Sequence, residues 1–184
     1  MKIAITGNTQ GIGKAISEGF TNQGHIVIGF NRSTTPNIST NEDLVKLAEL
    51  SSDCDLIVIN AYDTMHVNTT LGFAQTTLLY EMFKRWKGLD KTIVVIGSRS
   101  SDVAHNKVYP YAIHKGALDM AVEQLRNVTL THPTVINIRP GYVDTKQVAH
   151  VSNVKKMQPV DVFEILNMIL NHKNLILDIT FDSK

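Results

Sequence analysis

The sequence has little of what marks secreted, metal-binding or membrane proteins. Its single cysteine, Cys54, cannot form an intramolecular disulfide and fits a reducing compartment. The seven histidines are scattered without cysteine companions, so we expect no structural metal. No run of about 18 apolar residues occurs, and the apolar start at Met1–Ile5 is too short for a signal peptide. These absences predict a cytoplasmic protein with no membrane partner.

The chain also lacks a charge surplus. Lys+Arg 18 against Asp+Glu 17 leaves a net charge of +1, so no overall field would attract nucleic acid or an anionic membrane. We therefore expect no nucleic-acid partner and look for binding at local sites. The 184 residues suit one domain with its own hydrophobic core, and 1–184 contains no visible boundary or internal repeat.

Apolar, β-branched runs alternate with helical patterns along the chain. Strands are predicted at Lys2–Thr6, His25–Phe30, Leu56–Asn60, Thr92–Gly97, Val135–Arg139 and Leu175–Ile179. Helices are predicted after the first glycine loop, from Asn41 through Leu50, and at about 68–86, 110–128 and 159–171. This alternation predicts a doubly wound α/β fold, in which a parallel sheet is covered on both faces. Ligands of such folds bind at the carboxyl ends of the strands.

A glycine-rich loop joins the first predicted strand to the first helix. Gly7, Gly11 and Gly13 would allow a tight turn and let backbone N–H groups approach a pyrophosphate, while the helix N-terminus adds partial positive charge. The alternative is that these glycines only make a turn. We expect a nucleotide to lie against the loop residues Gly7, Thr9, Gln10, Gly11, Ile12 and Gly13.

Tyr111 and Lys115 lie four residues apart in a predicted helix. Both side chains would project from one face, where an ammonium favours the phenolate form of a tyrosine. Such a tyrosine could act as an acid or base near neutral pH. The same spacing also occurs on solvated helix faces. His114 lies between the two in sequence but should be turned away from their face, so we interpret it as a structural or surface residue.

The loop spacing T-G-x-x-x-G-x-G resembles that of the short-chain dehydrogenase/reductase family. Further motifs follow in the family's order along nearly the whole chain: Asn60-Ala61, Asn68, Ser98, Tyr111-x-x-x-Lys115 and Pro140-Gly141-x-Val143-x-Thr145. Ser98 precedes Tyr111 by 13 residues, a separation similar to the family's own. Ser100 and Ser101 are competing choices, but Ser98 directly follows a predicted strand. The resemblance implies a Rossmann-fold oxidoreductase.

The resemblance also implies a role for each motif residue. Tyr111 would donate or accept the proton, and Ser98 would hydrogen-bond the substrate carbonyl or alcohol. Lys115 would lower the pKa of the tyrosine and hold the nicotinamide ribose. Asn68 would hold a water that connects this lysine to solvent, unless it is only the N-cap of the long helix. The expected cofactor contacts outside the glycine loop are Asn31, Arg32, Ser33, Asn37, Ile38, Asn60, Ala61, Tyr111, Lys115, Pro140, Gly141, Val143 and Thr145.

The end of the second predicted strand carries Asn31-Arg32-Ser33 and no acid. An acid there would bind the ribose 2′-OH of NAD, whereas a basic residue would pair with the 2′-phosphate of NADP. We therefore predict NADP(H) in preference to NAD(H), with Arg32 on the phosphate and Ser33 as a helper. The alternative is that Arg32 is a solvated loop residue. Many NADP-dependent relatives carry a basic residue where this chain has Gln10.

Three departures from the family pattern concern the substrate. Tyr62 stands where the family usually has glycine, so its side chain either folds outward or reshapes the mouth of the site. The segment between Arg32 and Asn37 has no room for the usual crossover helix. Only 13 residues lie between Thr145 and Pro159, which leaves a short substrate lid. We expect a site that is open or is completed by a neighbouring subunit.

The helices near 68–87 and 110–128 carry more apolar residues than one sheet face needs. The resemblance implies a homodimer or homotetramer through these helices; the alternative is that they only pack on the sheet. We predict an NADP(H)-dependent oxidoreductase acting on a small-molecule carbonyl or alcohol. A regulator that binds NADP(H) without catalysis is the alternative, and a sugar-nucleotide epimerase or dehydratase is a third hypothesis.

Overall fold

Strands and helices alternate along the chain in the computed structural model, which describes residues 1–34, 36, 38–62, 70–104, 109–128, 132–172 and 176–183. Within these residues the strands are β1 (Lys2–Thr6), β2 (Ile26–Phe30), β3 (Leu56–Ile59), β4 (Thr92–Ile96), β5 (Thr134–Pro140) and β6 (Asp178–Phe181). The α-helices are α1 (Gly11–Asn22), α2 (Asn41–Leu50), α3 (Ala74–Trp86), α4 (Pro110–Val128) and α5 (Pro159–Asn171). Short 3-10 helices lie at Thr70–Phe73, Arg99–Asp102 and Lys146–Val148.

The strands form one parallel sheet in the order β2-β1-β3-β4-β5-β6. Alternate residues of a strand face opposite sides, so in β3 Ile57 and Ile59 join one core cluster while Leu56 and Val58 join the other. Helices α2, α3 and α4 cover the first face, and α1 and α5 cover the second. The predicted doubly wound α/β fold is confirmed.

Local signals account for where two of the helices begin. The Thr40 hydroxyl accepts a hydrogen bond from the Asp43 N–H at 3.0 Å, which caps α2. The carboxylates of Glu42 and Asp43 lie in the first turn, where they interact favourably with the partial positive charge of the helix N-terminus. Helix α5 begins at Pro159, and the Asp161 carboxylate accepts from the Gln158 N–H at 2.8 Å.

The loop after β2 and the bounds of β6, at the two edges of the sheet, are not determined by hydrophobic pattern alone. Beyond β2, the described part of residues 31–40 forms turns and bends and contains no helix, as expected from the lack of room for a crossover helix. At the other edge, β6 starts at Asp178 rather than at Leu175, which lies outside the described residues. Its bounds follow from pairing, since Asn137 is in register with Asp178 and Pro140 with Phe181.

Most apolar residues of α3 are used within the chain. Leu78, Leu79, Phe83 and Trp86 are buried in the core against the sheet. These four side chains are therefore not available to another subunit. Pairing through the two helices stays a prediction. The large apolar side chains that α3 and α4 leave exposed are Tyr80, Ile113, Met120 and Val128.

Candidate active site

The loop after β1 follows a path that only glycine permits. Gly7 and Gly11 have φ of +72° and +54°, which residues with side chains rarely adopt. A Cβ on Gly13 would sit 2.2 Å from the Gly7 carbonyl oxygen, so the first turn of α1 packs directly on the loop. The first N–H groups of this helix have no partner within the helix and carry partial positive charge. This cradle, which side chains would fill, fits a diphosphate.

The side chains of Thr6 and Asn60 tie the end of β3 to the end of β1 and to the glycine loop. The Thr6 hydroxyl accepts from the N–H groups of Asn60 and Ala61, both at 2.9 Å. The Asn60 side-chain amide donates to the carbonyl oxygens of Thr6 at 3.1 Å and Gly7 at 3.4 Å. Asn60 therefore stabilises the conformation of the loop, and these bonds fix the backbone at Asn60 and Ala61, just before Tyr62.

The turn after β2 brings its polar residues beside the loop. The Asn31 amide donates to the Asn8 side chain at 3.1 Å, and Asn31 accepts from the Ser33 N–H at 2.9 Å. Arg32 and Ser33 are exposed. Asn8 occupies the space a side chain at Gly29 would need, because a Cβ there would lie 2.0 Å from the Asn8 amide nitrogen. Asn8 was not among the predicted site residues; its place within the glycine loop is the signal that could have indicated it.

A cavity of about 580 Å³ lies at this edge of the sheet, within the usual size range of small-ligand sites. The predicted cofactor residues that line it are Gly7, Thr9, Gln10, Gly11, Ile12, Asn31, Arg32, Ser33, Ile38, Asn60, Ala61 and Thr145. Residues that line it without having been predicted are Lys14, Ala15, Glu18, Phe30, Ser39, Tyr62, Asp144, Lys146, Gln147 and Pro159. The predicted cofactor residues Gly13, Pro140, Gly141 and Val143 are not part of the lining.

The segment after β5 forms a short lid over the cavity. Gly141 donates its N–H to the Phe181 carbonyl at 2.8 Å, and buried Val143 bridges to Met157. Thr145 lies directly over the glycine loop, since its Cγ2 is 3.0 Å from where a Gly11 Cβ would be. The lid thus closes on itself at Met157, and it brings Thr145 onto the loop.

Ser98 and Tyr111 meet beyond the end of β4. Ser98 is 9% exposed, and its hydroxyl accepts from the Ser100 N–H at 3.1 Å, which starts the 3-10 helix. Tyr111 lies in the first turn of α4. Burial raises the pKa of Tyr111, and a hydrogen bond with Ser98 opposes this shift. Burial therefore sets the net direction of the shift. That Lys115 lowers the pKa of this phenol stays a prediction.

Lys115 points to the floor of the site rather than to the phenol. It is 3% exposed, and its Nζ donates to the Gln75 Oε1 at 2.7 Å and to the Ile96 carbonyl at 2.6 Å. The Nζ lies 5.5 Å from the Tyr111 ring centroid. Burial lowers the pKa of Lys115 to about 7, and the Asp119 carboxylate acts in the opposite direction.

Gln75 is a site residue that sequence reasoning missed. It is 5% exposed, and its amide nitrogen lies 3.1 Å from the Ile59 carbonyl and 3.5 Å from that of Ile96. It therefore joins the ends of β3 and β4 and offers its oxygen to Lys115. Its signal was a polar residue on the face of α3 that otherwise buries Leu78 and Leu79.

Asp119 is a second missed residue, one helical turn after Lys115. Its two oxygens lie 2.5 Å from the Ser101 hydroxyl and 2.8 Å from the Asn137 amide nitrogen. The Ser101 hydroxyl is also 2.7 Å from the Ser98 carbonyl. Asp119 thus anchors the segment that carries Ser98 to α4 and β5. Ser101, a competing choice for the catalytic serine, serves this anchor instead.

Tyr62 lines the cavity and contacts His114, in agreement with the alternative that it reshapes the mouth of the site. Tyr62 is turned inward: its hydroxyl is 2.9 Å from His114 Nδ1, and its ring meets Tyr111 edge-to-face with centroids 4.9 Å apart. His114 is 7% exposed and burial lowers its pKa. His114 is therefore a buried structural residue, one of the two alternatives expected, and Tyr62 contacts both it and Tyr111.

Two predicted site residues, Asn37 and Asn68, lie outside the described residues. In the part of the chain that the structure describes, no cluster of three His, Cys, Asp or Glu side chains could hold a metal ion. The helices described there are also too short or too polar to cross a membrane.

Comparisons with known proteins point to one family. A sequence model of the family described as short chain dehydrogenase matches residues 46–156. No curated protein matches the sequence significantly.

Solved structures share the fold of this chain. A short chain dehydrogenase from Burkholderia cenocepacia in complex with NADP has a TM-score of 0.82 and 16% identity, covering 99% of this chain and 88% of that one. A short-chain dehydrogenase/reductase from Vibrio parahaemolyticus has a TM-score of 0.81 and 19% identity, and the match covers 99% of each chain. The 3-alpha-hydroxysteroid dehydrogenase from Pseudomonas sp. B-0831 complexed with NADH has a TM-score of 0.77 and 20% identity. That match covers 99% of this chain and 95% of the other. At these identities the likeness establishes the fold alone.

Proposed function

Because this chain belongs to the short-chain dehydrogenase/reductase family, we propose that it is an NADP(H)-dependent oxidoreductase that interconverts a carbonyl and an alcohol. The observation that carries this proposal is the convergence of Ser98, Tyr111 and Lys115 at the same sheet edge as the nucleotide-sized cavity. The glycine cradle beside that cavity fits the diphosphate of such a cofactor. The reduced nicotinamide, when bound, would supply the hydride.

The acid/base work falls to the three converging side chains. Tyr111 would give its phenolic proton to the substrate oxygen, while the adjacent Ser98 hydroxyl holds that oxygen by a hydrogen bond. Lys115, 5.5 Å from the phenol ring centroid, would stabilise the phenolate that remains. Gln75 keeps the lysine in this place. In the oxidative direction the same groups would act in reverse.

The preference for NADP(H) rests on the turn after β2. Arg32 and Ser33 line the cavity there, and Asn31 shapes the turn by accepting from the Ser33 N–H. A guanidinium binds a phosphate by paired, charge-assisted hydrogen bonds, and the turn offers no carboxylate for a free 2′-OH. We therefore assign the 2′-phosphate to Arg32.

The proton-transfer role is tested by Tyr111→Phe. We expect kcat for NADPH-dependent carbonyl reduction to fall by roughly 10²–10⁴-fold, which is the usual contribution of a general acid. NADPH affinity should stay nearly unchanged, because the nucleotide cradle is formed by other elements. Tyr109→Phe is the matched control, since Tyr109 lies beside Tyr111 with ring centroids 5.9 Å apart. Turnover retained in Tyr111→Phe would refute the mechanism.

The cofactor preference is tested by fluorescence titration of wild type and Arg32→Ala with NADPH and NADH. A hydrogen-bonded charge pair contributes roughly 1.5–3 kcal/mol, so NADPH should bind about 10–100-fold more weakly to the variant. NADH affinity should change little. An equal loss for both nucleotides would show that Arg32 does not read the 2′-phosphate.

A non-catalytic NADP(H)-binding regulator is the second candidate. The observation that favours it is Tyr62, which lines the cavity while Tyr111, Ser98 and Lys115 lie outside its lining. A screen of aldehydes and ketones for NADPH consumption separates the two candidates. Tight NADPH binding without consumption of any carbonyl would favour the regulator.

We also propose that the exposed faces of α3 and α4 pair two subunits. Tyr80, Ile113 and Met120 are 53%, 56% and 61% exposed. Pairing would remove their apolar surface from contact with water, which is favourable. Sedimentation at micromolar concentration should show a dimer or tetramer. A monomer at that concentration would rule the pairing out.

A further inference from the structure

We propose that Tyr62 is a specificity-determining wall of the active site: its ring covers the cavity side of Tyr111 and restricts the site to small carbonyl substrates. This inference rests on the proposed oxidoreductase function. Tyr62 stands at a position where the family usually has glycine, and its ring fills space that glycine would leave open.

The backbone of Tyr62 cannot easily move away. The two residues before it donate their N–H groups to the Thr6 hydroxyl at 2.9 Å each, which fixes the end of β3 against β1. The side chain of Tyr62 therefore starts from a rigid position at the carboxyl edge of the sheet. From there it reaches α4, 52 residues further along the chain.

The hydroxyl of Tyr62 is held by a hydrogen bond to a buried histidine. The Tyr62 hydroxyl lies 2.9 Å from Nδ1 of His114, which is 7% exposed. The imidazole packs against the Phe73 ring, with centroids 4.5 Å apart. It also fills the space at Gly72, where a Cβ would lie 2.0 Å from its Cε1. An imidazole confined in this way fixes the direction of the Tyr62 ring.

The ring of Tyr62 lies between the cavity and the acid/base centre. It lines the cavity on one side, and on the other it contacts Tyr111 edge-to-face at a centroid distance of 4.9 Å and an interplanar angle of 87°. The Lys115 Nζ lies 5.8 Å from the same ring. At this separation the two phenol rings are in contact, so no substrate group fits between them. A substrate must reach Tyr111 from the remaining sides, which limits its bulk.

The experiment compares kcat/KM for a short aliphatic aldehyde and for a bulky aryl ketone in wild type, Tyr62→Gly, Tyr62→Ala and Tyr62→Phe. We expect wild type to favour the aldehyde, and the ketone-to-aldehyde ratio to rise by about tenfold or more in the Gly and Ala variants, as for other hydrophobic size filters. Tyr62→Phe loses the bond to His114 but keeps the ring and its contact with Tyr111, so it should keep most of the wild-type ratio. Circular dichroism confirms that each variant is folded, and Tyr62→Ala serves if Tyr62→Gly is not.

A second readout needs no turnover. Burial raises the pKa of Tyr111, so uncovering it should move its ultraviolet-monitored ionisation to lower pH in Tyr62→Ala but less in Tyr62→Phe; the Tyr111→Phe background assigns the signal. If wild type reduces carbonyls but the substrate ratio and the Tyr111 ionisation are both unchanged in Tyr62→Ala, the wall is refuted while the proposed function stands. If wild type reduces no carbonyl, the proposed function fails, and the Tyr111 ionisation alone decides whether Tyr62 covers it.

Discussion

Lys115 should make the stability of this protein depend on pH in a way that one substitution removes. Its ammonium is 3% exposed, and burial lowers its pKa from 10.5 to about 7. The unfolded chain therefore holds a proton between these values that the folded chain has released. Stability must rise as the pH increases from 7 towards 10.5, and below pH 7 the full penalty of the buried charge applies.

The size of this effect follows from the shift. A change from 10.5 to about 7 corresponds to a penalty on the order of 4–5 kcal/mol for the folded state at low pH. Between pH 6 and pH 9 the free energy of unfolding should rise by roughly 2–3 kcal/mol because of this group. Because Lys115 is almost fully buried, solvent screening does not reduce this contribution.

The substitution Lys115→Met removes the charge and keeps much of the volume. It also leaves the Gln75 side-chain oxygen and the Ile96 carbonyl without their donor, at a cost of roughly 1–3 kcal/mol for each group. These changes oppose each other, so a measurement at a single pH does not separate them. The difference in pH dependence between variant and wild type isolates the charge, since every other titrating group is common to both.

Urea denaturation followed by circular dichroism from pH 6 to pH 9 measures this difference. The wild-type free energy of unfolding should climb relative to that of Lys115→Met across the range. Lys46→Met is the control, because Lys46 is exposed and should leave the wild-type pH dependence intact. Parallel curves for wild type and Lys115→Met would mean that burial does not lower the pKa of Lys115.

Three further substitutions test other parts of the structure. Gly13→Ala places a Cβ 2.2 Å from a loop carbonyl oxygen, so it should abolish NADPH binding and destabilise the fold by roughly 1–3 kcal/mol, both measurable by titration and denaturation; normal binding would contradict the cradle. Leu79→Ala at a fully buried position should cost roughly 2–5 kcal/mol in urea denaturation, whereas Leu50→Ala at an exposed one should cost about 0.5 kcal/mol or less. Asp119→Asn removes the carboxylate that raises the pKa of Lys115, so the pH-dependent rise in stability should begin at lower pH; an unchanged onset would exclude this coupling.

Local pattern was enough to predict the fold class and the order of its elements. Strand periodicity and β-branched runs identified β1 and β4 closely, because a strand buried on both faces shows its character within a few residues. The acidic residues Glu42 and Asp43 indicated where α2 begins, because they too are a local signal. The bounds of β6 were predicted less well, since an edge strand is defined by the strand it pairs with.

Part of the candidate site could also be predicted from local features. The spacing of the loop glycines and the separation of Tyr111 from Lys115 are visible in the sequence, and they indicated a nucleotide loop and an acid/base pair. Their roles stay predictions. Arg32 could be placed at the cavity because it directly follows a strand whose carboxyl end forms that edge.

Contacts between distant segments lay beyond that reasoning. Gln75 meets Lys115 across 40 residues of chain, and Tyr62 meets His114 across 52. Each contact depends on how α3 and α4 pack on the sheet, which no local periodicity encodes. Burial is set by the same packing, and it decides that the pKa of Tyr111 goes up and that of Lys115 goes down. The chain alone therefore supplies the reactive groups, and only their packing determines the direction of their pKa shifts and the space left for a substrate.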